Sequence, residues 1–148
     1  MSFGSETYTI DHKGRVSVPV KMRRVSGRRS MEVVLTRGFE GCITMYTQEQ
    51  WAGFEAMLKR IPYGDVEGRR FARAFFDATV GPLTPDAQGR ITLPQHLLDL
   101  AGLTREAKFL PMGDRIEIWD PARYSERQRA DELDLAKSAE RYFGGPQS

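Results

Sequence analysis

The same short pattern occurs twice in this chain of 148 residues, and the repeat limits the folds that the chain can adopt. Residues 11–19 read DHKGRVSVP and residues 86–94 read DAQGRITLP, so Asp, Gly, Arg and Pro recur 75 positions apart. The similarity extends over about residues 7–53 and 82–125. A unit of a few short strands exposes its edges and lacks a sufficient core alone. We therefore expect two interleaved units that form one small barrel with pseudo-twofold symmetry.

Each copy predicts the order strand, turn, strand, short helix, strand, strand and the start of another helix. After the motif, VKMRRVSG and QHLLDLAG each read as a short helix with Pro near its start and Gly at its end. The following strands match EVVLTRG (32–38) with AKFLPMG (107–113), and CITMY (42–46) with RIEIW (115–119). The repeat thus predicts a mainly β chain with short helices.

The motif itself predicts a tight turn followed by a strand. Its key positions are Asp11, Gly14 and Arg15 in the first copy, and Asp86, Gly89 and Arg90 in the second. Asp at the first position of a type I turn hydrogen-bonds the backbone two residues on, and Gly is favoured at the fourth position. In the strand that follows, Val16 and Val18 lie on one face and Ser17 on the other.

A cation held next to such a turn suits contact with a phosphate or a base edge. The alternative is that Asp11–Arg15 and Asp86–Arg90 are only salt bridges that stabilise their turns. That alternative would be preferred for a single copy of the motif. Its recurrence within a longer repeat favours the binding interpretation.

The distribution of charge points the same way. The whole chain carries a net charge of only +2, but residues 11–30 hold seven basic residues against Asp11 alone, a net +6. A basic block in a nearly neutral protein attracts phosphate, although a solvated surface is the alternative.

Other features exclude several classes of protein. The single cysteine, Cys42, cannot form an internal disulfide and has no partners at metal-binding spacing, so we expect a buried thiol and no metal. No apolar run approaches the roughly 20 residues that span a bilayer, and residues 1–10 lack a signal-peptide core. We expect a soluble protein that is not exported and binds no membrane.

The segment that joins the two copies, residues 54–81, is not repeated and is predicted to be helical. A helix from Thr47 to Ile61 begins with a capping box of Thr47 and Gln50. Asp65 is the predicted cap of a second helix. That helix carries an arginine cluster, Arg69, Arg70 and Arg73, which fits acidic groups of a neighbouring subunit, nucleic acid or a solvated face.

The C-terminal segment begins with Asp120 and Pro121, a favourable cap and first helical residue. Residues 126–148 are predicted to be a highly charged, partly exposed helix and tail.

These motifs together resemble the MraZ family of bacterial regulators, which have two domains of the SpoVT/AbrB type. The resemblance covers about residues 3–125 and depends on the paired D-x-x-G-R motif, together with LTRG (35–38), Trp51, RRFARAFF (69–76) and HLLDLAGL (96–103). It implies an α+β, mainly β fold, with a duplicated swapped-hairpin barrel of AbrB type. Its domains would be residues 5–53 and 82–125.

The resemblance also implies a function. Members of this family bind double-stranded DNA upstream of the division and cell wall gene cluster, including their own promoter. They assemble into homo-oligomeric rings that engage repeated DNA boxes, and they act in the cytoplasm on the nucleoid. No cofactor and no enzymatic activity are implied.

The predicted DNA-binding residues combine the resemblance with the charge pattern. They are Lys13, Gly14, Arg15, Lys21, Arg23, Arg24 and Arg90, whereas Asp11, Asp86 and Gly89 are assigned to the structure of the turns. Residues 86–105 have no net charge, and Gln88 stands where the first copy has Lys13. We therefore expect the first unit to make most of the DNA contact and Arg90 to be mainly structural.

Two alternative functions remain at this point. Asp11 and Asp86 could form the acid/base dyad of an enzyme, although the neighbouring arginines favour their permanent ionisation. Alternatively, the chain could be a ring-forming protein-interaction module whose basic face docks an acidic partner.

Overall fold

The computed structural model describes residues 4–23, 32–131 and 133–144, and they form eight strands and six α-helices. The strands are β1 (Glu6–Thr9), β2 (Arg15–Ser17), β3 (Val33–Arg37), β4 (Ile43–Thr47), β5 (Val80–Leu83), β6 (Arg90–Thr92), β7 (Glu106–Pro111) and β8 (Ile116–Trp119). The helices are α1 (Val20–Arg23), α2 (Gln48–Lys59), α3 (Val66–Ala78), α4 (Gln95–Ala101), α5 (Pro121–Ala130) and α6 (Leu135–Ala139), and α6 is followed by a π-helical turn, Glu140–Gly144. The predicted order of elements therefore occurs twice.

Strands from the two halves of the chain alternate in the sheets. Six strands form one antiparallel sheet in the order β1-β7-β8-β4-β3-β5, and β2 pairs with β6 in a separate two-stranded ribbon. The first strand of each half lies against the third strand of the other half, as β1 against β7 and β5 against β3. This arrangement confirms the α+β, mainly β class and the expected interleaving of the two copies.

The strand register corrects one detail of the sequence comparison. Tyr8 pairs with Ala107, and Leu83, which lies 75 residues after Tyr8, pairs with Val33, where the β3–β5 register shifts before Leu35 pairs with Val80. Val33 and Ala107 are also both buried in the shared core, which makes them counterparts, whereas Lys108, which the sequence repeat aligns with Val33, is only half-buried. The difference arises before these strands, since 15 residues (18–32) separate Ser17 from Val33 but 14 (93–106) separate Thr92 from Ala107.

One apolar core lies between the large sheet and the ribbon. Val16 and Ile91, which face each other in the ribbon, belong to the same buried cluster as Leu35 and Phe109 of the sheet. Each of these four side chains is at most 2% exposed. The apolar face of the ribbon is therefore buried, and its other face points away from the core.

The connecting helices begin as the sequence predicts. The Thr47 hydroxyl accepts from Gln50 N, and the Gln50 side chain accepts from Thr47 N, each at 3.0 Å, which is the predicted capping box. Asp65 caps α3 by accepting from Gly68 N at 2.8 Å. The C-terminal end of α3 is anchored to β3 by the Thr36 hydroxyl, which donates to the carbonyl of Phe75 at 3.1 Å.

The C-terminal segment differs from the single helix that the sequence predicts. Helix α5 ends at Ala130, and α6 begins only at Leu135, with Asp134 as its cap. The Asp134 side chain accepts from Lys137 N at 3.1 Å. Aspartate competes for backbone donors in this way and therefore interrupts helices. Within the described parts of the chain, no helix is long and apolar enough to cross a membrane.

Candidate nucleic-acid interface

The first motif forms a turn in which one carboxylate holds both the backbone and the arginine. Oδ1 of Asp11 accepts from the backbone N–H of Lys13 at 2.9 Å and of Arg15 at 2.8 Å. Its Oδ2 accepts from Nε of Arg15 at 2.7 Å. The backbone closes the turn, since Gly14 N–H donates to the carbonyl of Asp11 at 3.0 Å. These bonds confirm the turn that the motif predicts.

The second motif has the same geometry. Oδ1 of Asp86 accepts from the backbone N–H of Gln88 and Arg90, both at 2.9 Å. Its Oδ2 accepts from Nε of Arg90, also at 2.9 Å. Gly89 N–H closes the turn by donating to the carbonyl of Asp86 at 2.8 Å. The two arginines are thus held alike, although the surrounding charges differ.

Each turn is also bonded to the other half of the chain. The carbonyl of Gly14 accepts from Leu93 N–H at 2.8 Å, and that of Gly89 accepts from Val18 N–H at 2.9 Å. Both glycines have positive φ, +81° for Gly14 and +77° for Gly89. Side chains are disfavoured there. The two turns are therefore tied to opposite ends of one ribbon.

The ribbon brings the two arginines onto one face. Arg15 is paired with Thr92, and Ser17 is paired with Arg90. Directly opposed residues lie on the same face of an antiparallel pair, and residues two apart in a strand also share a face. The face opposite the core therefore carries Arg15, Ser17, Arg90 and Thr92, and we call these four residues the outer ribbon face.

The arginines of the outer ribbon face are partly accessible. The side chain of Arg15 is 30% exposed and that of Arg90 is 29% exposed. Among the described residues, the hydrogen bonds of both guanidinium groups are made through Nε, to Asp11 or Asp86. The outer edge of each group, formed by Nη1 and Nη2, therefore keeps its N–H donors for a ligand.

The turns lower the pKa of their aspartates. The backbone N–H of Arg15 has the largest effect and, helped by the guanidinium and Lys13 N–H against some burial, lowers the pKa of Asp11 from 3.8 to about 2. The backbone N–H of Arg90 likewise lowers the pKa of Asp86. Both carboxylates therefore stay ionised at neutral pH. A general acid needs a raised pKa instead, so this geometry does not support the acid/base dyad.

Two of the other predicted DNA-binding residues, Lys13 and Lys21, lie at exposed positions. Lys13 is exposed at the tip of the first turn, as is Gln88 at the second. Lys21 lies on α1, exposed, beside a cavity of about 300 Å³ that Gln50 and Arg115 also line. Arg23 is in α1 but its side chain is outside the described part of the structure, and Arg24 lies wholly outside the described residues.

Two polar residues of the outer ribbon face were missed by sequence reasoning. Thr92 is exposed, and Ser17 is half-buried next to Arg90. The alternation that places Ser17 opposite Val16 was visible, but the pairing of β2 with β6 was needed to join the two strands. The arginine cluster lies on α3 rather than on the ribbon, and its Arg69 donates to the carbonyl of Tyr63 at 2.6 Å.

The described residues contain no group of three or more His, Cys, Asp or Glu side chains that could hold a metal ion. The chemistry of the outer ribbon face is that of a cationic donor surface, suited to phosphate oxygens and base edges.

Replacing the first turn glycine should destabilise the fold. Gly14→Ala is expected to lower the free energy of unfolding by about 1–2 kcal/mol, because a side chain is strained at positive φ. Its Cβ would also lie 3.0 Å from the carbonyl oxygen of Leu93. The measurement is unfolding in urea, monitored by circular dichroism.

The matched control for this substitution is Gly53→Ala, in the middle of α2, where an added Cβ meets no atom within 4 Å. It should raise the free energy of unfolding by about 0.5–1 kcal/mol, because alanine favours helices. Equal stability of Gly14→Ala and the wild type would show that the turn does not need its positive φ.

Comparison with known proteins gives a consistent result over nearly the whole chain. The sequence model of a family described as "MraZ protein, putative antitoxin-like" matches residues 1–74 and 78–145. A transcriptional regulator MraZ of Acetivibrio thermocellus is 33% identical over 141 residues, 95% of this chain and 96% of that protein. One from Caldicellulosiruptor saccharolyticus is 36% identical over 142 residues, again 95% and 96%. One from Caldanaerobacter subterraneus is 34% identical over 140 residues, 95% of each.

Proposed function

The chain belongs to the MraZ family, and on that premise we propose that it is a DNA-binding transcriptional regulator that reads promoter DNA with its outer ribbon face. The observation that carries the proposal is the presence of two arginines, held by identical aspartate contacts, on one partly exposed face of a β-ribbon. Relatives that align over almost their full length are described as transcriptional regulators.

The shape of this face suits double-stranded DNA. The major groove admits a two-stranded β-ribbon, and arginine pairs with O6 and N7 of guanine through two parallel hydrogen bonds. Lys13, exposed at the first turn, would neutralise a phosphate. Lys21, Arg23 and Arg24 remain proposed phosphate contacts, as the charge of residues 11–30 suggests.

One barrel offers few contacts, so we propose that the protein binds repeated boxes as a homo-oligomeric ring. Linked contacts can raise avidity by ~10²–10⁴ without new chemistry. Its target would be the promoter of its own division and cell wall gene cluster, in the cytoplasm and on the nucleoid. We propose residues 5–53 and 82–125 as the two repeated units. Each unit then contributes one of the two turns beside the outer ribbon face.

The test is a binding titration of the full chain with a duplex of the DNA just upstream of its own coding sequence. A scrambled duplex of equal length and base composition serves as the competitor, and heparin as a polyanion without bases. We expect preference for the upstream duplex, and a loss of roughly 100-fold in its affinity between 50 and 200 mM salt, if about four phosphates are neutralised.

Equal binding to both duplexes and to heparin would reject the proposal. That result would favour the alternative, a ring-forming interaction module that docks an acidic partner through its basic face.

A further inference from the structure

We propose that Asp11 and Asp86 are positioning residues that set sequence discrimination, because each carboxylate aims the guanidinium of its arginine at the DNA. This inference rests on the proposed function. It assigns to the two aspartates a role beyond stabilising their turns.

The two oxygens of each carboxylate have separate partners. Oδ1 is fixed by two backbone N–H groups, which are those of Lys13 and Arg15 in the first turn. Oδ2 is thereby held towards Nε of the arginine, at 2.7 Å for Arg15 and 2.9 Å for Arg90. The closed turn needs only the Oδ1 contacts, which Asn or Ser also provides in such turns. The Oδ2 contact is therefore additional to the turn and acts on the arginine.

This contact leaves the arginine in a form that suits base recognition. A guanidinium carries five N–H donors in a rigid plane, and its side chain has considerable rotamer entropy. With Nε bound to the aspartate, the plane is held and the Nη1–Nη2 edge stays available for the two acceptors of a guanine. Less conformational freedom is then lost on binding, so a well-placed guanine is favoured over other bases.

Because the aspartate is negatively charged, the inference predicts opposite effects of its removal on sequence preference and on non-specific DNA binding. Asp11 is the only acidic residue among residues 11–30, and it offsets the charge of Arg15. A carboxylate at this place weakens the attraction to phosphate, which depends on net positive charge. Any contribution that it makes to DNA recognition therefore comes from favouring the correct base sequence over other sequences. Its removal should then reduce preference for the correct sequence without weakening non-specific binding.

The experiment compares Asp11→Asn with the full wild-type chain on the upstream duplex and on the scrambled duplex. Asn keeps the Oδ1 acceptor for the turn. It places an NH2 group where Asp11 has Oδ2, and because that group is a donor it cannot accept the hydrogen bond from Nε of Arg15. We expect the ratio of the two affinities to fall about 10-fold, with binding of the scrambled duplex equal or tighter. Asp86→Asn makes the same comparison at the second turn.

The matched control is Asp114→Asn, which removes another aspartate that pairs with an arginine, Arg115, at 2.7 Å. Its ratio should equal that of the wild type. Circular dichroism would establish that each variant is folded at the assay temperature. Asp11→Ser, which can still bond the turn backbone, provides a second variant if Asp11→Asn does not fold.

The outcomes separate this inference from the proposed function. A wild-type chain that does not prefer the upstream duplex would reject the proposed function itself. A wild-type chain that discriminates, together with aspartate variants that discriminate equally well, would overturn the inference alone. Loss of affinity for both duplexes in equal proportion, or failure of every variant to fold, would assign the carboxylates to the turn and also overturn it.

Discussion

Arg15→Ala is expected to lose about 10- to 100-fold in affinity for the upstream duplex, because a bidentate contact to guanine and one cation are removed together. The Asp11 carboxylate would then stand without its partner beside the DNA phosphates, which adds repulsion. Affinity for the scrambled duplex should fall much less. The measurement is fluorescence anisotropy at constant salt, with the full chain and both duplexes.

The control for Arg15→Ala is Arg73→Ala, which removes the same charge from an exposed position on α3. It should leave the affinity ratio of the two duplexes unchanged. Arg90→Ala should cost less than Arg15→Ala, since Gln88 supplies no charge beside it. Wild-type discrimination by Arg15→Ala would exclude the outer ribbon face as the surface that reads the sequence.

The second large effect concerns the shared core. Phe109→Ala should lower the free energy of unfolding by about 3–5 kcal/mol, since it leaves a cavity among packed side chains. Phe109 is fully buried in β7, where it pairs with Glu6 of β1 and Ile118 of β8. Because strands of both halves share one sheet and one core, the chain should unfold in a single transition. Unfolding in guanidinium chloride, monitored by tryptophan fluorescence and circular dichroism, measures both the free energy of unfolding and the number of transitions.

The comparison for Phe109→Ala is Tyr63→Ala, since the Tyr63 side chain is 88% exposed between α2 and α3. It should change stability by no more than about 0.5 kcal/mol. Two separate transitions, or a small effect of Phe109→Ala, would show that the halves fold independently.

Local chemistry made the turns and caps predictable from sequence. The Asp11 turn and the Thr47 capping box each depend on residues within four positions of each other, and both form as expected. Such contacts are set by side-chain type and spacing alone. The repeat further predicted that strands of the two halves would interleave, because neither half can cover its own edges.

Long-range pairing accounts for what the sequence did not reveal. That Arg15 and Arg90 share one face follows from the pairing of β2 with β6, between residues 73 to 77 positions apart. The one-residue shift that aligns Val33 with Ala107 depends on the length of chain between the ribbon strand and the sheet strand of each half. The interruption after Ala130 depends on whether Asp134 caps a new helix or continues the old one. Neither choice can be read from periodicity.

Hydrogen–deuterium exchange of the full chain, with and without the upstream duplex, tests most directly where the DNA binds. We expect slower exchange in peptides covering residues 9–19 and 84–94, which contain both turns and both ribbon strands, and unchanged exchange in α3. Slower exchange in α3, with the two ribbon peptides unaffected, would contradict the account.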